Sequence, residues 1–300
     1  MKAVTFRSGN NSIAGNIYFP ASFIPSEKYP AIVCVHPGGG VKEQTAGLYA
    51  REMAKSGFIT LAFDASYQGA SSGEPRFLED PASRVEDIRC AVDFLTTLEY
   101  IDTDRLNVLG ICAGGGYAVK AACSDRRIRA VGTVSAVDIG TTFRRGWDGT
   151  TPVEAQIAVL DNAAGQRTTE ANGAPAAFLP YVPETIEEDT IRDMREAHDY
   201  YRTPRGCHPN AGNKMLASSI DRIFGFAAFD QVGDFLTQPL MVVAGSDAGS
   251  LWQSRELYEQ AASRKEFVLI KEATHIALYD RPDCVLSATE KLSAFFKTAV

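Results

Sequence analysis

Residues 106–120 read LNVLGICAGGGYAVK. The run LNVL has the length and apolar content of a short buried strand, and residues 113–124 carry helical spacing. Between them stands Gly110-Ile111-Cys112-Ala113-Gly114. This is the Gly-x-nucleophile-x-Gly elbow, with cysteine in place of serine. The glycines fit because a turn this sharp leaves no room for side chains beside the nucleophile. The turn lifts the cysteine sulfur to the C-terminal edge of a sheet. It also places it at a helix N-terminus, where partial positive charge favours thiolate. The plainer reading is a structural cysteine in a Gly-rich turn, and the surrounding pattern decides between the two.

That pattern is a strand–helix alternation. Residues 31–35 (AIVCV), 59–63 (ITLAF), 106–109, 130–134 (AVGTV), 240–244 (LMVVA) and 267–270 (FVLI) predict strands. Near-continuous apolar runs of this kind belong to strands buried on both faces of a parallel sheet. Residues 45–56, 81–98, 113–124, 251–262 and 282–298 predict the intervening helices. In 81–98 the apolar stripe is Val85, Ile88, Val92 and Leu95, with Arg84, Glu86, Asp87 and Asp93 largely off it. Residues 3–6 and 12–18 predict an antiparallel hairpin at the sheet edge. The fold class is therefore α/β, mostly parallel, with helices on both faces.

The chain has 300 residues, 45 % of them apolar and 22 % charged, with a net charge of −7. This excludes a disordered or collagen-like chain and leaves no overall footprint for nucleic acid or an anionic membrane. No apolar run is long enough for a membrane span and no signal-peptide core is visible, so a cytoplasmic protein is expected. Cys34, Cys90, Cys112, Cys123, Cys207 and Cys284 are scattered with no CxxC pair, which argues against a metal site and a disulfide framework. Between Val137 and Pro239 roughly 70 residues exceed what one βαβ crossover needs. They predict a helical cap, residues 139–236, inserted into one domain spanning 1–300.

A cysteine nucleophile needs a base. His275, in Glu272-Ala273-Thr274-His275, follows the last predicted strand and is the base candidate. His198 and His208 fall in the insertion, and His36 ends a strand. The acid is expected after an earlier strand, where Gly245-Ser246-Asp247 offers Asp247, with Asp138 as the alternative. His36-Pro37-Gly38-Gly39-Gly40 closes the first parallel strand. Its Gly38 or Gly39 N–H, with that of Ala113, would make an oxyanion hole. Tyr67, Gln68, Tyr201 and Trp252 are the substrate-contact candidates, and Asp64 is a candidate brace for the 67–69 loop.

HPGGG, FDASYQGASSGEPR (63–76), GICAGGGYA and YRTPRGCHPN (201–210) together resemble the α/β-hydrolase superfamily. Within it they resemble dienelactone-hydrolase-like enzymes with a cysteine nucleophile, and most closely the YcjY-type bacterial hydrolases. Fungal polyketide transferases look like more distant relatives. The resemblance implies Cys112 as nucleophile, His275 as base and Asp247 as acid. It implies a small-molecule ester, lactone or thioester substrate, hydrolysed through an acyl-enzyme without cofactor or metal. No nucleic-acid or membrane partner is expected, and a homodimer is left open. Dienelactone hydrolases proper lack a cap of this size and carry an acid near the loop where this chain has Pro37 to Gly40. An acyltransferase, a non-catalytic binding protein and a redox sensor paired with Cys34 or Cys207 are the rival readings.

Overall fold

The computed structural model describes residues 1–299. A hairpin of β1 (Lys2–Ser8) and β2 (Asn11–Tyr18) opens the chain, with Lys2 opposite Ile17 and Ser8 opposite Asn11. Three strand–helix units follow: β3 (Tyr29–Val35) with α1 (Thr45–Lys55), β4 (Ile59–Phe63) with α2 (Pro81–Thr96), and β5 (Ile101–Ile111) with α3 (Ala113–Ser124). β6 (Ile128–Val134) then enters the insertion. This holds α4 (Ile139–Arg145), α5 (Val153–Ala171), β7 (Phe178–Leu179), α6 (Arg192–Arg202), β8 (Met215–Leu216), a 3-10 turn (Ala217–Ser219), α7 (Ile220–Phe224) and α8 (Val232–Phe235). The chain returns through β9 (Leu240–Gly245), α9 (Leu251–Gln260), β10 (Lys265–Ile270), α10 (Ala277–Asp280) and α11 (Pro282–Thr298).

Eight strands form one sheet in the order β1-β2-β4-β3-β5-β6-β9-β10. The β1–β2 and β2–β4 pairings are antiparallel and the other five are parallel. This is the α/β architecture expected from the alternation. Strand side chains alternate between two cores, as a period of two requires. Val33, Val35, Leu106 and Val108 face α2 and α3, while Ile32, Cys34, Leu109 and Ile111 face α1 and α11. All residues of β4 and β9 are buried, because helices cover both faces there. No described helix is long and apolar enough to cross a membrane.

The stripe of α2 is buried as predicted. Pro81 occupies its first turn, and the Asp80 carboxylate accepts the Ala82 N–H. Two residues expected off the stripe are buried as well. Asp87 accepts the Ser66 N–H and hydroxyl at 2.7 and 2.8 Å, and Arg84 is only 3 % exposed. Each has polar partners, which is what makes burial of a charge tolerable.

The inserted residues do not form a core of their own. Ala163, Met215 and Ile223 join one sheet-face cluster, and Val182, Ala197 and Tyr200 join the other. Its two long helices are α5, which runs from Val153 to Ala171, and α6, which begins at Arg192. α4, α7, α8 and the two-residue strands β7 and β8 are too short to give a periodic signal.

Asp64, just past β4, is fully buried. It accepts the Lys42 N–H at 2.7 Å, the Lys42 ammonium at 2.8 Å and the Ala70 N–H at 2.8 Å. It therefore ties the loop after β3 to the loop carrying Tyr67 and Gln68. Asp64→Ala leaves the Lys42 charge buried without this partner. Urea unfolding is expected to show a loss of about 3–5 kcal/mol, and a loss below about 1 kcal/mol would refute the brace.

Candidate active site

Cys112 sits between β5 and α3 with φ +55° and ψ −125°. A non-glycine residue in this region carries strain of about 1–3 kcal/mol and persists only where its surroundings fix it. They do so here. The Cys112 N–H donates to the Val134 carbonyl at 2.9 Å, and its carbonyl accepts from Gly115 and Val137. A Cβ on Gly110 would strike the Gly114 carbonyl, and one on Gly114 would strike the Val35 carbonyl. The two glycines thus let β3, β5 and α3 close around the elbow.

The thiol faces the backbone N–H groups of Ala113 and Gly38. Of the two glycines proposed for the second donor, Gly38 lines the cavity with Cys112, and its N–H helps to hold the thiol pKa down. Gly39, at φ +68°, supplies the turn instead; a Cβ there would lie 2.6 Å from the Tyr181 ring. Burial pushes the Cys112 thiol above its ordinary range. The Tyr279 hydroxyl, these two N–H groups and Arg84 oppose that rise without cancelling it. The helix N-terminus alone suggests a thiolate; burial reverses the balance.

His275 lies in the loop between β10 and α10 and is 1 % exposed. Its Nδ1 stands 2.5 Å from the Ser250 Oγ, and its Nε2 stands 3.2 Å from the Tyr279 hydroxyl. The Trp147 ring meets the imidazole nearly edge-on, centroids 4.9 Å apart. Burial pulls the His275 pKa down to about 4, and the Asp193 carboxylate works against that fall.

The structure does not bring Asp247 to His275. Asp247 is exposed, its carboxylate accepts the Ser246 hydroxyl at 2.8 Å, and both imidazole nitrogens already have other partners. Asp138 caps α4, accepting the Gly140 N–H and the Thr141 hydroxyl. The carboxylate that acts on His275 is Asp193, on α6 of the insertion. It is 5 % exposed and accepts the Trp147 indole N–H and the Gly249 N–H, both at 2.8 Å. Nothing in the charged stretch around Asp193 distinguishes it in sequence from its neighbours.

Cys112, His275 and Tyr279 open into a cavity of about 140 Å³. Its walls are largely apolar, with Val137, Ile139, Phe143, Trp147, Met194 and Ile276 among them. Tyr201 lines it as expected. Tyr67, Gln68 and Trp252 do not. The Gln68 amide is committed to the Leu78 carbonyl, and Tyr67 packs over Gly73. Trp252 stands behind Trp147, donating to its carbonyl at 3.0 Å.

A buried polar network backs the oxyanion loop. Glu79 accepts the hydroxyls of Tyr117 and Tyr181, both at 2.6 Å, and lies 3.7 Å from Arg84. Arg84 donates to the His36 carbonyl at 2.7 Å. The His36 ring bridges the Pro37 carbonyl and the Ala65 N–H, and burial and Arg84 hold its pKa well below normal. Among the described residues no group of three or more His, Cys, Asp or Glu is arranged to hold a metal ion.

A strand–elbow–helix turn at Cys112 and a histidine after the last strand, on this sheet order, are the architecture of an α/β-hydrolase. Residues 27–282 match the family described as serine aminopeptidase, S33, and the chain belongs to it. It is 44 % identical to the uncharacterized protein YcjY of Escherichia coli K12 over 298 residues, 98 % of this chain and 97 % of that one. It is 34 % identical to PA2218 of Pseudomonas aeruginosa over 95 % of this chain and 76 % of that one. The PA2218 crystal structure superposes with a TM-score of 0.93 at 32 % identity, over all of this chain and 93 % of that one. The α/β-hydrolase GrgF from Penicillium has the same fold, with a TM-score of 0.82 at 22 % identity over 99 % and 98 % of the two chains. The Penicillium protein named polyketide transferase GrgF aligns at 28 % identity over 55 % of this chain and 52 % of its own.

Two buried imidazoles make stability depend on acid. As pH falls from about 6.5 toward about 4, the unfolded chain binds protons that folded His275 refuses, and His36 acts in the same direction. Stability therefore falls across that window. Tm at pH 5 is expected about 3 °C or more below that at pH 7, with a shallower slope in His275→Gln. Equal Tm values would contradict neutral imidazoles in the fold.

Proposed function

We propose that the protein is a cysteine-dependent hydrolase of small esters, lactones or thioesters, acting through an acyl-enzyme. The observation that carries this reading is the Cys112 thiol held at a strained elbow against two backbone N–H groups. In the proposed reaction the sulfur attacks the carbonyl carbon, and the oxyanion rests on the Ala113 and Gly38 amides. His275 is the proton acceptor, and Asp193 favours the imidazolium that forms, the role assigned to Asp247 from sequence. The leaving group departs protonated. Water, activated by the same histidine, then releases the acid and frees the thiol.

The cavity supports a compact acyl group. Its volume of about 140 Å³ is close to that of a pocket that holds one benzene ring, and its walls are mainly apolar. Transfer of the acyl group to an alcohol or thiol is the second reading. It is favoured by the similarity to the polyketide transferase GrgF. Adding acceptor alcohols or thiols to the assay separates the two, since transfer yields a new ester or thioester in place of free acid.

The test is a panel of p-nitrophenyl esters, lactones and acyl thioesters, with mass spectrometry of quenched reactions. An acyl adduct on Cys112 is expected, and Cys112→Ala is expected to lower turnover by about 10³-fold or more. Acetyl to benzoyl esters should outrun palmitoyl esters. An unmodified Cys112 with every turned-over substrate would refute the reading.

The choice of acid is tested separately. Asp193→Asn is expected to cost about tenfold in kcat/KM, the equivalent of one pKa unit of imidazolium stabilisation, and Asp247→Asn less than about threefold. The reverse ranking would restore Asp247.

A further inference from the structure

The base does not touch the nucleophile. Among the described residues no hydrogen bond joins His275 to Cys112; the Nε2 stands 3.2 Å from the Tyr279 hydroxyl, Tyr279 lines the same cavity as Cys112 and His275, and its hydroxyl helps to hold the thiol pKa down. We propose that Tyr279 is a catalytic residue, whose hydroxyl relays the proton between Cys112 and His275. The proposal rests on Cys112 being the nucleophile.

Several features fix Tyr279 in this place. It lies four residues after His275, on the short helix α10, and its hydroxyl is turned back to within 3.2 Å of the His275 Nε2. It is 2 % exposed, and its ring is held edge-on by Tyr200 at 5.3 Å and Tyr201 at 6.3 Å. The backbone of α10 is anchored on both sides. The Tyr49 hydroxyl donates to the Leu278 carbonyl at 2.7 Å, and the Ala277 N–H donates to the Thr274 hydroxyl, which itself donates to Glu196 on α6. The ring cannot leave without disturbing both α1 and the insertion. A hydroxyl bonded to the base and facing the same cavity as the thiol is placed to carry a proton between them.

The balance is simple. The Cys112 S–H proton passes to the Tyr279 oxygen as that oxygen gives its own proton to His275 Nε2. The sulfur electron pair forms the bond to the acyl carbon, and the carbonyl π pair becomes the oxyanion. When the oxyanion collapses, the bond to the leaving group breaks. The imidazolium then returns a proton to Tyr279, which passes one to the departing oxygen or sulfur. Burial and the neighbouring thiol hold the Tyr279 pKa well above its ordinary value, so the hydroxyl gives and receives in one motion without resting as phenolate. The Nδ1–H of the imidazolium meanwhile donates to the Ser250 oxygen, and Asp193 supplies the opposite charge.

Tyr279→Phe tests this, because it keeps the ring and removes only the relay. Acylation by the best ester is expected to slow about 10²-fold with KM changed less than about threefold. The double variant Tyr279→Phe/His275→Gln should be no slower than the slower single one, since both sit on one path. The pH midpoint for alkylation of Cys112 by iodoacetamide should rise, because the thiolate loses a donor. Acylation within about threefold of the native rate, with the adduct still on Cys112, would overturn the relay and leave the nucleophile standing. Loss of the adduct in the native enzyme would overturn both. Should Tyr279→Phe fail to fold, the native enzyme carries the test. Acylation rate against the fraction of D2O is curved if two protons move together, and a straight line overturns the relay.

Discussion

The strained backbone at Cys112 is the constraint on which the rest of the site depends. A left-handed φ on a β-carbon-bearing residue is tolerated only when neighbouring chain segments leave no alternative. Here β6 accepts the Cys112 N–H, α3 begins on the next residue, and the Val35 carbonyl crowds the Gly114 α-carbon. A side chain at Gly110 or Gly114 would push these segments apart and release the strain. The reward for the crowding is geometric: the Ala113 amide and the thiol share one pocket without any motion of the chain. The strand order is what brings β3 beside β5, so that Gly38, in the loop after β3, comes to line the same cavity as Cys112.

The oxyanion loop has its own support, and it is electrostatic rather than apolar. Glu79, Arg84 and His36 are each nearly or fully buried, which is costly unless partners satisfy them. Their partners are the oxyanion loop and the insertion. Arg84 holds the His36 carbonyl, His36 holds Pro37, and Glu79 takes a hydroxyl from Tyr181, whose ring lies against Gly38 and Gly39. The same chain of contacts therefore sets the second amide and packs the inserted segment over it. Removing Glu79 would leave Arg84 without its carboxylate, and removing Arg84 would leave Glu79 without its cation, so the network holds its geometry as a unit.

The difference between what was legible in the sequence and what was not follows the range of the interactions. The sheet, its flanking helices, the elbow and His275 were legible, because each is written in local spacing or in chain order. Arg84 shows the first limit. Periodicity assigns it to a polar face, yet α2 turns that residue toward Tyr117 and the His36 carbonyl, partners far from it in sequence. Asp247 shows the second. Chain order puts it in the right loop, but the loop uses Ser250 and the Gly249 amide to face inward and leaves Asp247 in solvent. Asp193 and Tyr279 lie on a helix of the insertion and on a four-residue helix, and neither has a motif. Packing of the insertion onto the sheet brings Asp193 toward His275, and the turn into α10 brings Tyr279 there.

The burial that hides these residues from sequence reasoning also sets the resting state of the site. It drives the thiol up and the imidazole down, so the two groups rest as a neutral pair instead of an ion pair. A neutral thiol is a poor target for oxidants, which argues against the redox reading. Cys34, one of its two proposed partners, is itself a fully buried thiol raised by burial. In the proposed reaction charge separates only when a carbonyl occupies the pocket. On that proposal the Ala113 and Gly38 amides would face the oxyanion, and Asp193 the imidazolium. These dipoles and charges are in place beforehand and need no reorganisation, so their stabilisation is greater in the transition state than in the resting enzyme. Asp193 belongs to α6, which also presents Tyr201 to the cavity. Closure of the acyl pocket and completion of the electrostatics thus depend on the same inserted helix.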